Sequence, residues 1–234
     1  VFWNKKRNSA DPHYVRDYEK HVAKLIAKHP IDEAMSLAVG GSYQKIGLIE
    51  KRLLDYAGLR PGMSLVDIGC GSGRLAATLS DEIEYLGTDV VQSLLDYARS
   101  KSPASFKFRR HVAMSVPCRD ASVDFICAFS VFTHLQHAET FIYLADATRA
   151  LRTGGTLMFS FLEFFEPAHW SIFTGTVAET RARTPTHLNM FIERNAIETW
   201  AAKLGLHVKE FIDAGAAPQG GDPLGQSVAI LRKD

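Results

Sequence analysis

Residues 65–74 constrain the chain more than any other stretch. Leu65, Val66 and Ile68 form an apolar run with the pattern of a buried strand, and Gly69, Gly71 and Gly73 interrupt it at alternate positions. Residues 74–80 then carry a helical pattern that opens directly out of the interruption. Strand, glycine turn and helix N-terminus make up the first crossing of a doubly wound α/β sheet, where a nucleotide-like ligand lies on exposed backbone. A dinucleotide loop is spaced G-x-G-x-x-G. This one is D-x-G-x-G-x-G, with the acid Asp67 built into the end of the strand.

The surrounding chain repeats the strand and helix rhythm. Residues 84–89 read as a second strand ending in Asp89, which lies 20 residues beyond Gly69. An acid there is suited to accept hydrogen bonds from ribose 2′ and 3′ hydroxyls. Helical spacing follows over 90–100, and 106–110 alternate as a third strand. The nearly unbroken apolar run 123–130 is that of a central parallel strand buried on both faces. A helix is expected over 138–151, stopped by Gly154 and Gly155, with the next buried strand at 156–162. Residues 163–190 break the rhythm. They are rich in aromatics and read as a long irregular insert, the wall or lid of a substrate site. A helix around 196–204 ends at Gly205, and strands at 206–213 and 226–232 are too close for a crossover helix, so they pair antiparallel.

Ahead of the sheet, Asp11 and Pro12 form a helix start, and Val15, Tyr18, Val22, Leu25 and Ile26 recur at helical spacing up to Pro30. Three roles are open to this helix: covering a ligand cleft, meeting a partner subunit, or packing on the sheet edge. Residues 1–10 are polar and expected to be poorly ordered. A second helix is expected over 44–57.

The motif Asp67, Gly69, Gly71, Gly73 resembles the glycine-rich motif of class I S-adenosylmethionine-dependent methyltransferases. The resemblance extends over about residues 44–233. It implies a doubly wound, mostly parallel seven-stranded sheet with an antiparallel C-terminal hairpin, the Rossmann-like methyltransferase fold. Its domain division is an N-terminal helix and linker over 1–42, then the methyltransferase domain over 43–234 with an insert at about 163–190. It also implies S-adenosylmethionine as cofactor and S-adenosylhomocysteine as product. The cofactor residues it points to are Asp67, Gly69, Cys70, Gly71 and Gly73 of the loop, Asp89 and Val90 after the second strand, and Ser130 and Val131 after the fourth. Similar enzymes place the linker before the second helix beside the sulfonium, which implicates Tyr43 and Lys45. They wrap the adenine with the segment here occupied by Val112, Ala113 and Met114. Where many relatives hold a carboxylate this chain has Val112, so backbone contacts and packing by Met114 are what remains for the ring.

Methyl transfer asks mainly for alignment and exclusion of water, with a base when the acceptor carries a proton. His134, at the mouth of the cleft, is the first candidate base, His187 in the insert the second and His169 the third. Acceptor classes narrow by what is missing after the fourth strand. Ala128-Phe129-Ser130-Val131 is not the Asn/Asp-Pro-Pro-aromatic run of nucleobase-amino methyltransferases. Paired glutamates, as in arginine methyltransferases, and clustered acids, as in metal-dependent catechol enzymes, are also missing there. A small or medium organic acceptor is left, with O-methylation the expected chemistry and no metal. The alternatives are a non-catalytic cofactor-binding regulatory or partner protein and a nicotinamide-dependent oxidoreductase, the latter disfavoured by glycine spacing and the final hairpin.

Composition sets outer bounds. With 27 Lys and Arg against 26 Asp and Glu, the net charge is +1, which offers no electrostatic footprint for nucleic acid or an anionic membrane. Cys70, Cys118 and Cys127 are an odd number, widely spaced, and read as reduced thiols of a cytoplasmic protein. The charged opening lacks a signal-peptide core, and no uncharged run is long enough to span a bilayer.

Overall fold

The computed structural model describes residues 13–184 and 188–234. The proposed start at Asp11 and Pro12, the order of residues 1–10 and the candidate His187 lie outside them. Seven strands form one sheet in the order β3-β2-β1-β4-β5-β7-β6. They are β1 (Ser64–Ile68), β2 (Glu84–Asp89), β3 (Lys107–Arg110), β4 (Val123–Ala128), β5 (Leu151–Phe161), β6 (Leu206–Ile212) and β7 (Ser227–Lys233). The first five pair in parallel, and β7 runs antiparallel between β5 and β6. The expected seven-stranded sheet and closing hairpin are therefore present. The order reverses at β1, between β2 and β4, which puts a ligand crevice at the carboxyl ends of these three strands.

Alternation along the central strands builds a core on each face. Val66, Ile68, Ile126 and Ala128 face helices α5 (His137–Ala150) and α7 (Arg194–Leu204). Leu65, Phe125 and Cys127 face α3 (Tyr43–Ala57) through Ile49, Leu53 and Leu54. A third cluster joins α1 (His13–Lys28), α2 (Ile31–Ala38) and α4 (Gln92–Lys101) through Val22, Met35 and Leu94.

Four elements differ from the sequence reading. The helix expected over 74–80 is a single 3-10 turn, Ala76–Thr78. Seven residues are too few to hold a helix without strong packing, and Leu79 is already extended. The Arg74 side chain is drawn off to Glu50 and the Val39 carbonyl. Helix α2 was not expected; its two turns, between Pro30 and Gly40, give too short a run for periodicity to register. Strand β5 begins at Leu151, so Gly154 and Gly155 lie inside it instead of stopping the helix, and its register against β4 shifts between Val123 and Phe125. Finally, the supposed irregular insert contains the four-turn helix α6 (Pro167–Ala182). Among its described residues only His169 is buried, so the helix shows no apolar stripe of the kind that marks a core-facing helix.

Candidate functional site

The glycine loop leaves β1 with Gly69, Gly71 and Gly73 all at positive φ (68°, 55° and 82°), a conformation that glycine adopts without strain. The acid at the end of β2 holds this loop. One Asp89 carboxylate oxygen accepts the Gly71 N–H at 2.9 Å, and the other accepts the Val91 N–H at 2.9 Å. Each oxygen keeps a second lone-pair site. Burial pushes the Asp89 carboxyl up, and the amide donors pull it back. Below the loop, Ser72 Oγ donates to the Met35 carbonyl of α2 at 2.9 Å.

Two clefts meet at Gly69 and Asp89. The first, of about 650 Å³ and partly open to solvent, has apolar walls from Ile68, Val90, Val131 and Leu135, with His111 and Ser115 also lining it. His111 Nε2 and Ser115 Oγ are 2.9 Å apart. The second, of about 850 Å³, is polar and is lined by Glu50, Asp67, Cys70, Gly71 and Arg74 among others. In the polar cleft two buried carboxylates face one guanidinium. Glu50 and Arg74 pair at 2.8 Å, while Asp67 accepts the Tyr85 hydroxyl at 2.8 Å and the Cys127 thiol at 3.5 Å. Burial pushes the Asp67 carboxyl up to about 7, opposed chiefly by the Tyr85 hydrogen bond.

Helix α1 supplies a residue that the sequence did not single out as part of the site. Tyr18 lines both clefts, and its ring meets that of His134 edge-on at 5.9 Å. Burial, then the Asp89 charge, pushes its hydroxyl up to about 12. His134, in a 3-10 turn after β4, lines both clefts as well. Its Nδ1 is 2.7 Å from the Leu188 carbonyl, which can only accept, so Nδ1 carries a proton and the ring is oriented by that bond. Ser130 and Val131 line the apolar cleft. Ser130 is held in the left-handed region (φ 57°) by its N–H bond to Ser160 Oγ at 2.7 Å.

Other expected residues lie elsewhere. Tyr43 lines neither cleft; its hydroxyl donates to the Ser72 carbonyl at 2.9 Å, bracing the loop from behind. Lys45 pairs with Asp222 at the surface. Gly73 gives close approach to α4, where an added Cβ would lie 2.6 Å from that of Ala98. Val112 and Met114 pack against the core, and the Ala113 carbonyl accepts from Tyr143, so the chain puts His111 and Ser115 at the cleft instead. His169 is fully buried between the Glu163 backbone and the Gly225 carbonyl, a structural position away from both clefts. Of the residues missed, Glu50 and Arg74 had a faint signal, a charge on an apolar helix face and another directly after the glycine loop.

The two clefts fit an adenosyl amino acid. A flat base suits the apolar walls, ribose hydroxyls suit the remaining lone pairs of Asp89, and an ammonium suits the acid excess of Asp67 and Glu50 over Arg74. An added Cβ on Gly71 would lie 2.5 Å from Val39 Cγ1, so the loop backbone keeps its path only without a side chain there.

Residues 66–159 match the protein family described as a methyltransferase domain. The chain is 25% identical over 211 residues to the biotin biosynthesis bifunctional protein BioHC of Cellvibrio japonicus, covering 86% of this chain and 39% of that protein. It is 30% identical over 142 residues to the malonyl-acyl-carrier-protein O-methyltransferase of Serratia marcescens, covering 58% and 54%. The chain thus spans about half or less of the length of these relatives. Among solved structures, the fold is similar to magnesium protoporphyrin IX methyltransferase from Synechocystis PCC 6803 with bound S-adenosylhomocysteine. The TM-score is 0.65 at 15% identity, over 94% of this chain and 99% of that one. A possible histamine N-methyltransferase from Thermotoga maritima gives 0.64 at 18% identity, over 94% and 99%.

Proposed function

We propose that this chain, which carries a class I S-adenosylmethionine-dependent methyltransferase domain, methylates a hydroxyl of a small or medium organic acceptor. The observation that carries the reading is Asp89, which stands between an apolar and a polar cleft and ties the glycine loop to the end of β2, one oxygen accepting from Gly71 and the other from Val91. In this reading Asp89 meets the ribose, the walls around Val90 and Val131 take the base, and Asp67 and Glu50 receive the amino acid end. Bound there, S-adenosylmethionine supplies an electrophilic methyl carbon whose broken bond leaves its electron pair on sulfur. The protein aligns the acceptor and excludes water, and Tyr18 of α1 closes the clefts from above. His134 Nε2 takes the hydroxyl proton as the acceptor oxygen is methylated.

An acceptor screen that reads S-adenosylhomocysteine formation tests this. With an acceptor in hand, His134→Ala is expected to lower kcat by roughly 100-fold while S-adenosylhomocysteine still binds. An unchanged kcat would remove His134 from the chemistry. Binding without turnover on any acceptor would favour a regulatory protein on the same fold.

Asp67 gives the site a pH dependence with a definite sign. Its carboxyl is raised from 3.8 to about 7, so the ligand-free protein holds it protonated at mildly acid pH. Folded and unfolded states then differ in proton content at Asp67 between these values, and the contribution of Asp67 to ligand-free stability falls as pH rises from about 4 to about 7. An ammonium seated beside Asp67 favours the carboxylate, so affinity for S-adenosylhomocysteine should rise through pH 7 with release of a proton. Calorimetry in buffers of different ionisation enthalpy measures that release. Asp67→Asn should abolish it; undiminished release in this variant would assign the proton to another group.

A further inference from the structure

A third cleft of about 810 Å³, partly open to solvent, lies between α6 and the turn after β4. Thr133, Ile172, Thr176 and Asn189 contribute to its walls. His134 and Gln226 line it and also line the polar cleft, so the two share a wall where methyl transfer would take place. Gly175 and the amide nitrogen of Gln226 have no packing or hydrogen-bond role among the described residues. Gly175 sits in the interior of α6 without positive φ, and a Cβ there would meet nothing within 4 Å. A glycine in a helix interior weakens the helix, and here neither backbone conformation nor packing requires it; what it leaves is open space in the cleft. Gln226 accepts the Ser130 hydroxyl on Oε1 at 3.2 Å, while its NH₂ has no hydrogen-bond partner among the described residues. The charge of the cleft is equally informative. The described residues of its walls include neither lysine nor arginine, so they offer a carboxylate or phosphate no such counter-charge.

We propose that this cleft seats the methyl acceptor, that the acceptor is an uncharged hydroxyl compound with an apolar body, and that Gly175 and Gln226 select it. The body lies across the space left by Gly175, and the Gln226 NH₂ donates to a lone pair of the hydroxyl oxygen, which faces His134. This rests on the methyltransferase reading above. A site built to hydrogen-bond a hydroxyl rejects the analogue without one, because its own polar group is then left unpaired.

The test uses the full chain saturated with S-adenosylhomocysteine and three probes of similar size: 1-naphthol, 1-methylnaphthalene and 1-naphthoate, in equilibrium dialysis. Wild type is expected to bind 1-naphthol about tenfold more tightly than either of the others. Gly175→Leu, a helix-favouring change, should lose 1-naphthol binding while affinity for S-adenosylhomocysteine stays within about twofold and the melting temperature does not fall. Gln226→Leu should bring 1-naphthol down to the level of 1-methylnaphthalene. Tighter binding of 1-naphthoate, or 1-naphthol binding that Gly175→Leu leaves intact, would overturn the proposal with the cofactor site untouched. Failure of S-adenosylhomocysteine to bind wild type would instead overturn the reading on which it rests.

Discussion

Asp89→Asn is expected to weaken S-adenosylhomocysteine binding by about 100-fold or more, measured by titration calorimetry. The substitution keeps the shape and replaces one acceptor oxygen by a donor NH₂. In the wild type both oxygens receive backbone N–H groups, from Gly71 and Val91, at 2.9 Å. Whichever way the asparagine amide turns, one N–H then faces another N–H. A charge-assisted hydrogen bond contributes about 1.5–3 kcal/mol, and the orphaned amide adds its own desolvation cost. The loop loses its anchor and the ribose loses an acceptor oxygen together, which is why the effect should exceed that of one hydrogen bond. The melting temperature of the ligand-free protein should fall by only a few degrees, because Tyr43 and Met35 still hold Ser72 from below. Undiminished binding by the folded variant would remove Asp89 from the site.

The largest effect on stability is expected from a residue outside the glycine motif. Gly47 lies in α3, and a Cβ there would overlap the Arg74 carbonyl, with Thr78 Cγ2 a further 3.2 Å neighbour. The obstacle is backbone, so it cannot be relieved by a rotamer change. Gly47→Ala, ordinarily favourable in a helix, should therefore destabilise by about 3 kcal/mol. For a domain of this size that lowers the melting temperature by roughly 10 °C. The displaced segment carries Arg74, the partner of Glu50, so cofactor affinity should fall as well. A neutral or raised melting temperature would show that α3 and the loop are not in contact as described.

What was legible in the sequence was local. The run into Gly69 and the acid ending β2 carry their meaning within a few residues, because a buried strand followed by a left-handed turn leaves little choice of chemistry. The antiparallel hairpin was legible from the short spacing of its strands. The rest depends on what a segment packs against. Helix α6 turns no face to the core, so its Ile172, Phe173 and Val177 form no stripe, and aromatic richness read as an irregular insert. Tyr43 sits next to the loop as its place in the chain implied, yet its hydroxyl is spent on the Ser72 carbonyl. Segment 74–80 has a helical pattern but gives its first side chain to Glu50 and ends after one turn. Tyr18 looked like one more apolar position of α1; its role follows from how that helix crosses the clefts, helped by the surface pair Arg110–Glu19 at 3.1 Å. Gly175 and Gln226 carry no motif at all.

The most direct test of the account is a calorimetric titration of the full chain with S-adenosylmethionine, S-adenosylhomocysteine and NADH. Both adenosyl compounds are expected to bind 1:1, more tightly as pH rises through 7, with no heat from NADH. Binding of NADH, or silence toward both adenosyl compounds in a folded protein, would contradict it.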